Sequence, residues 1–217
     1  MPQSIFFLLT YQNNFVEFAN ENGGIRALDY GGAVGQYMPL LRYVLNFYKC
    51  KERIYYDVID NEVMCNKGRE LFSENKKADP ASSVIPRTPL DEVTFYSNPD
   101  LYKENFDVFI CVATLMYIED LTDMVRLISE AKPKYVFLAF FLANHGPDSP
   151  KMAALYEGGE YYEVTAHSID KLKTFFTGLN YTEIPGAEYD LSEISESIRE
   201  LYPDVRSSDL FFTLETP

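Results

Sequence analysis

Apolar runs of strand length alternate along this chain with stretches of helical period. Ile25–Leu28, Arg53–Ile59 (R-I-Y-Y-D-V-I), Phe106–Val112 (F-D-V-F-I-C-V) and Tyr135–Phe141 (Y-V-F-L-A-F-F) are close to continuously apolar. That is the pattern of strands buried on both faces in a parallel sheet. Val93–Tyr96 reads as a shorter strand, and Tyr181–Ile184 and Leu210–Leu214 close the series. Between the strands, Leu40, Leu41, Val44, Leu45 and Tyr48 give an apolar helical face within 36–49. Val63, Met64, Lys67 and Leu71 do so within 61–72, and Leu121, Met124, Val125 and Ile128 within 121–131. A further helix starts at Ser168, runs through Phe176 and stops at Gly178.

The repeated strand–helix order predicts an α/β fold. Its core is an open, mostly parallel, seven-stranded twisted sheet with helices on both faces, in one domain spanning 1–217. Residues 1–24 read as a helical lead-in, with Phe15 and Phe18 on one face. Residues 73–91, rich in Lys, Ser and Pro, read as an irregular surface excursion. Met152–Tyr156 reads as a single helical turn, and 187–205 as acidic and partly helical. Pro39 suits the first turn of its helix, where its missing N–H is not needed. Asp120 is placed to cap the helix that follows, with Asp123 in the reciprocal position. Gly68 stands inside a helix as a local cost.

The stretch Arg26–Tyr37, R-A-L-D-Y-G-G-A-V-G-Q-Y, carries the strongest local signal. A strand ends at Asp29, Gly31, Gly32 and Gly35 follow, and a helix begins behind them. Such a turn lets backbone approach a ligand closely and sets it against the free N–H groups of a helix N-terminus. A second acidic strand end, Asp57 or Asp60, comes one strand–helix unit later, the spacing of a ribose-binding carboxylate. Asp57 lies inside its strand and Asp60 closes it, which favours Asp60.

Composition narrows the partners. The formal net charge of -14 opposes nucleic acid and anionic membranes. Cys50, Cys65 and Cys111 are widely spaced without a CxxC, which suits free thiols in a reducing, cytoplasmic setting. With only His145 and His167, a His-rich metal site is excluded, though one built on carboxylates is not; no metal is assigned. The apolar run Ile5–Leu9 has no basic region before it, so it is not read as a signal peptide. No apolar run approaches membrane-spanning length. Exposed aromatics could form a homodimer face.

On these residues the chain resembles the class I S-adenosylmethionine-dependent methyltransferases. Asp29-Tyr30-Gly31-Gly32-Ala33-Val34-Gly35 looks like their first motif, D-x-G-x-G-x-G. Asp60 looks like the acidic residue that holds the ribose hydroxyls, and Phe106–Asp120 like their fourth-strand motif. The doubled glycine, the spacing from Asp60 to Gly68 and the turn Leu115-Met116-Tyr117-Ile118 are similar to methyltransferase-like proteins associated with cell-surface polysaccharide genes. The pattern departs at Ala33, a substitution tolerated if that residue keeps ordinary backbone angles.

The resemblance implies S-adenosylmethionine as cofactor, held by Asp29, Gly31, Gly32, Gly35, Asp60 with Asn61, Ser97, Asn98 and Ala113. Asp60 would accept both ribose hydroxyls, backbone N–H groups of Gly31–Gly35 would face the methionine end, and Ser97 and Asn98 would bracket the adenine. The expected reaction is methyl transfer to an oxygen or nitrogen of a small polar metabolite, with sugars among the acceptors. His145, just past the fifth strand, is the candidate base, and Tyr117 would orient the acceptor. His167 reads as structural or solvated, and Tyr11, Tyr37, Tyr161 and Tyr162 as pocket-shaping aromatics. Two other classes fit the same pattern: a noncatalytic binding or partner protein of this fold, and a nicotinamide or nucleotide-sugar oxidoreductase. Asp29 weighs against the oxidoreductase, because it would repel a pyrophosphate seated on the glycine turn.

Overall fold

A computed structural model describes residues 12–75, 91–155, 161–184, 188–189 and 203–215. It divides into two compact units, Met1–Ile110 and Cys111–Pro217. The fold is mixed α/β with a mostly parallel central sheet and helices.

The first unit opens with helix α1 (Gln12–Asn22), strand β1 (Gly24–Tyr30) and helix α2 (Met38–Phe47). Strand β2 (Arg53–Ile59), helix α3 (Glu62–Asn75) and strand β3 (Glu92–Tyr96) follow, and β4 (Val108–Val112) begins in this unit. β1 pairs in parallel with β2 from Gly24↔Arg53 to Tyr30↔Ile59, and with β4 at Ala27↔Val108 to Asp29↔Ile110. β2 pairs in parallel with β3 from Tyr55↔Glu92 to Ile59↔Tyr96. The order is therefore β4–β1–β2–β3, with α2 and α3 as the crossovers that parallel neighbours require. Ile25, Ala27, Leu28, Ile54, Val58 and Phe109 are buried on the two faces of the sheet, and Met38, Leu41, Val44 and Leu45 are the buried apolar side of α2. Each such side chain contributes about 1.5–3 kcal/mol by leaving water.

Gly68 has a structural reason. A Cβ there would collide with the Phe95 ring, so the absence of a side chain lets α3 lie directly on β3. Residues 73–75 prolong α3 rather than opening a loop, and residues 76–90 of the expected excursion lie outside the described residues. Asp91, its last member, is buried and anchors the start of β3. Its carboxylate takes Arg42 through Nε at 2.9 Å and through Nη2, and accepts Ile54 N–H at 3.2 Å.

In the second unit, helix α4 (Thr122–Ala131) precedes the long strand β5 (Tyr135–Asn144). The Asp120 carboxylate caps Thr122 N–H at 2.9 Å, whereas Asp123 pairs with Arg126 instead of reaching back. Next come β6 (Lys151–Leu155), β7 (Tyr161–Thr165), β8 (His167–Ser168), α5 (Ile169–Gly178), β9 (Tyr181–Ile184), β10 (Glu188–Tyr189) and β11 (Val205–Leu214). β11 runs antiparallel to β5, β9 and β10, and β8 is parallel to β5. The Phe176 and Phe212 rings stack at 4.1 Å in its core.

Two expectations fail here. Lys151–Leu155 is a strand, not a helical turn, because β7 pairs with it antiparallel from Lys151↔Thr165 to Leu155↔Tyr161. β5 and β11 are longer than their apolar runs, since pairing of β11 continues to Val205↔Asn144. Residues 190–202 of the acidic segment and residues 1–11 of the lead-in lie outside the described residues. Among the described residues, no helix is long and apolar enough to cross a membrane.

Candidate functional site

β1 ends in a turn that its own sequence requires. Gly31, Ala33 and Gly35 all adopt left-handed backbone, with φ of 74°, 50° and 79°. Ala33 therefore lacks the ordinary angles that would make it an easy substitute for glycine, and this conformation costs an L-residue about 1–2 kcal/mol. Gly32 is demanded by contact rather than by φ, because a Cβ there would run into the Asp29 carboxylate.

The turn closes on itself and on β2. Gly31 N–H donates to Ile59 O at 2.7 Å, Gly35 N–H to Gly32 O at 2.9 Å, and Ala33 N–H to Asp60 Oδ2 at 2.8 Å. These three donors are thus not turned toward a ligand, contrary to the expectation that the whole turn would present its N–H groups. Among the described residues, no acceptor takes the N–H of Gly32 or Val34.

Asp60 stands half-buried directly after β2. Its Oδ1 accepts both Asn61 N–H at 2.7 Å and Asn61 Nδ2–H at 2.8 Å. Asn61 Oδ1 in turn accepts Met64 N–H at 3.1 Å, capping α3. A carboxylate offers about four lone-pair sites. Three are used, and the remaining one is on Oδ2. The sequence-selected pair Asp60 and Asn61 and the glycine turn are therefore brought together as one cluster.

Asp29 lies beneath that turn at 0 % exposure. Tyr56 O–H donates to its Oδ2 at 2.5 Å, while Oδ1 has no hydrogen-bond partner among the described residues. Burial pushes this carboxyl up to about 7, the Tyr56 hydrogen bond pulls it down, and nearby Asp60 raises it further. Burial, and then the Asp29 charge, also raise Tyr37, which precedes α2. Tyr56 is a residue that sequence reasoning missed, since an inward tyrosine within an apolar strand looks like packing alone.

Ser97 and Asn98 follow β3 and are exposed. Asn98 Oδ1 accepts Asp100 N–H at 2.9 Å, capping the short 3-10 turn Pro99–Leu101, so this side chain serves the turn. Asp57 is held by the scaffold: its Oδ2 takes Arg26 Nη1 at 3.0 Å and Tyr102 O–H at 3.1 Å.

The remaining sequence-selected residues belong to the second unit. Ala113 is exposed, holds a left-handed φ of 54° and donates its N–H to Ala139 O at 2.8 Å. Tyr117 is 58 % exposed at the end of the 3-10 turn Leu115–Tyr117. His145 is exposed immediately after β5, with its N–H on Asp204 O at 3.0 Å. His167 is buried and binds backbone carbonyls, as a structural histidine does. Among the described residues, no group of three or more His, Cys, Asp and Glu is placed to hold a metal ion.

No family model matches this chain, and no curated protein does. Solved structures do match, at low identity. A SAM-dependent methyltransferase from Methanosarcina mazei aligns at 14% identity with a TM-score of 0.57, over 90% of this chain and 94% of that one. The glycopeptide N-methyltransferase MtfA in complex with S-adenosyl-L-homocysteine aligns at 8% identity and TM-score 0.53, over 99% and 98%. Magnesium protoporphyrin IX methyltransferase from Synechocystis, with bound SAM, aligns at 13% identity and TM-score 0.51, over 95% and 79%. The chain thus has the fold on which these SAM-dependent methyltransferases are built.

Proposed function

We propose that this protein is an S-adenosylmethionine-dependent methyltransferase acting on an oxygen or nitrogen of a small polar acceptor, with sugars within the class. One observation carries the reading: the left-handed glycine turn after β1 is folded onto Asp60, the carboxylate at the end of β2. The residues fit the cofactor. Asp60 Oδ2 retains a lone pair for one ribose hydroxyl, and a rotation of the Asn61 amide would free Oδ1 for the second. Gly32 and Val34 supply backbone N–H donors, and Asp29 places a buried carboxyl beneath the turn, suited to a cationic ligand. When bound, the cofactor supplies an already activated methyl group, which leaves alignment of the acceptor as the main task of the protein.

His145 is the proposed base for an acceptor hydroxyl or amine, and Tyr117 the proposed orienting group; both side chains are exposed. The likeness to methyltransferases of polysaccharide gene clusters supports a sugar acceptor only at the level of sequence motifs.

A noncatalytic role for the same fold is the second reading, favoured by Ala33, which occupies a strained conformation while its N–H already holds Asp60. Calorimetric titration with S-adenosylhomocysteine separates the two. The expected result is micromolar binding that Asp60→Ala abolishes while the protein stays folded. No binding by the folded wild-type chain gives the lead to the noncatalytic reading.

A further inference from the structure

The turn that carries Tyr117 is braced residue by residue. Leu115 is fully buried, and Met116 packs on the cluster of Leu142, Met152 and Val164. Glu119, just beyond the turn, meets Lys151 Nζ at 2.7 Å. The central brace is His167. Its Nε2 lies 3.0 Å from Leu115 O and 2.9 Å from Ile118 O, the carbonyls on either side of Met116 and Tyr117. Both partners are acceptors, so Nε2 carries the hydrogen and shares it between them. His167 is itself fixed, since β8 pairs with β5 at Ala143↔His167 and the residue is 4 % exposed. Burial lowers its pKa, which keeps the ring neutral.

Tyr117 alone escapes this packing. Its side chain has no hydrogen bond or ring partner among the described residues, and it is 58 % exposed. Fixing backbone costs conformational entropy that the braces must offset. A turn fixed this thoroughly gives an exposed aromatic a firm base, as a ligand-contacting group supported from below requires.

We propose that His167 is a positioning residue, whose Nε2–H clips both ends of the 115–118 turn and presents Tyr117 as a fixed wall for an acceptor with a flat or CH-lined face and a hydrogen-bonding edge. The role as an acceptor wall rests on the methyltransferase reading, whereas the clip is testable without it. The chain has no tryptophan, so Tyr117→Trp places its sole indole at the turn, where it can be excited apart from the tyrosines. Its anisotropy decay and acrylamide quenching are to be measured with His167 intact, as His167→Gln, whose amide retains N–H donors, and as His167→Leu, which retains bulk without a donor.

The expected result is an exposed indole that moves only with the turn when His or Gln is present, and the appearance of fast local motion with Leu. An indole equally immobile in folded His167→Leu overturns the proposal. Should His167→Leu not fold, nitrogen-15 NMR of the two histidines decides: protonated Nε2 on His167 supports the clip, and a proton on Nδ1 alone overturns it. S-adenosylhomocysteine titrations of the His167 variants with Tyr117 intact keep the questions apart. Unchanged affinity supports a role limited to the acceptor side, and affinity lost in folded His167→Leu overturns it. Absence of binding in wild type defeats the methyltransferase reading and leaves the clip to the fluorescence result.

Discussion

Among its described residues the first unit buries three carboxylates and treats them in two ways. Asp57 and Asp91 each receive a guanidinium, from Arg26 at 3.0 Å and from Arg42 by two donors. Asp29, one position before the end of β1, receives only a tyrosine hydroxyl and keeps one oxygen without a partner among the described residues. Where the scaffold needs a buried anion it supplies a cation, because an uncompensated buried charge costs several kcal/mol. Beneath the glycine turn the cation is withheld. The Asp29 carboxyl answers instead by rising toward neutrality, which lets it stay uncharged where a buried anion would be costly.

Breaking the compensated side gives the largest effect. Arg42→Met takes the guanidinium away from the buried Asp91 carboxylate, and should cost about 3–5 kcal/mol in urea denaturation. Both partners are 0 % exposed, so solvent cannot replace the guanidinium.

Asp29→Asn tests the uncompensated side and should act in the opposite direction at alkaline pH. The Asp29 carboxyl rises from 3.8 to about 7 in the folded chain. A carboxyl raised in this way is favoured protonated on folding. Its contribution to stability is full below about pH 4, falls through the interval up to pH 7, and stays lost above it. At pH 8 the asparagine variant should exceed wild type by roughly 2 kcal/mol, within a linkage ceiling of about 4 kcal/mol, and the advantage should vanish by pH 4. The same variant should bind S-adenosylhomocysteine more weakly, since that ligand also carries an ammonium group. Paired denaturation series of variant and wild type at pH 4 and pH 8 read the difference directly.

Ala33→Gly sharpens the comparison with the smallest effect. It relieves the left-handed strain of Ala33 but adds glycine's freedom to the unfolded chain, for a net gain of about 0.5–1 kcal/mol in unfolding free energy, read as a higher denaturation midpoint.

Much of this could be read before the structure. The apolar strands, the helical faces, Ser168 as a helix cap and the pairing of a glycine turn with Asp60 follow from periodicity and spacing, which are local properties. Lys151–Leu155 could not, because K-M-A-A-L has good helix formers and becomes a strand only when β7 lies alongside. Arg42 looks like a polar residue on a helical face, and Asp91 like the end of a loop; their burial exists only once α2 and β3 meet.

The sequence by itself determined where strands and helices form, that β1 ends in a turn only glycines accommodate well, and which carboxylate closes β2. The tertiary structure decided which charges are paired, that Ala33 is held left-handed with its N–H on Asp60, that burial raises Asp29 toward neutrality, and that His167 lies against the carbonyls of Leu115 and Ile118. The physical reason is range. Backbone preference and hydrophobic period act over a few neighbouring residues, whereas desolvation and hydrogen-bond partners depend on what distant segments bring into contact.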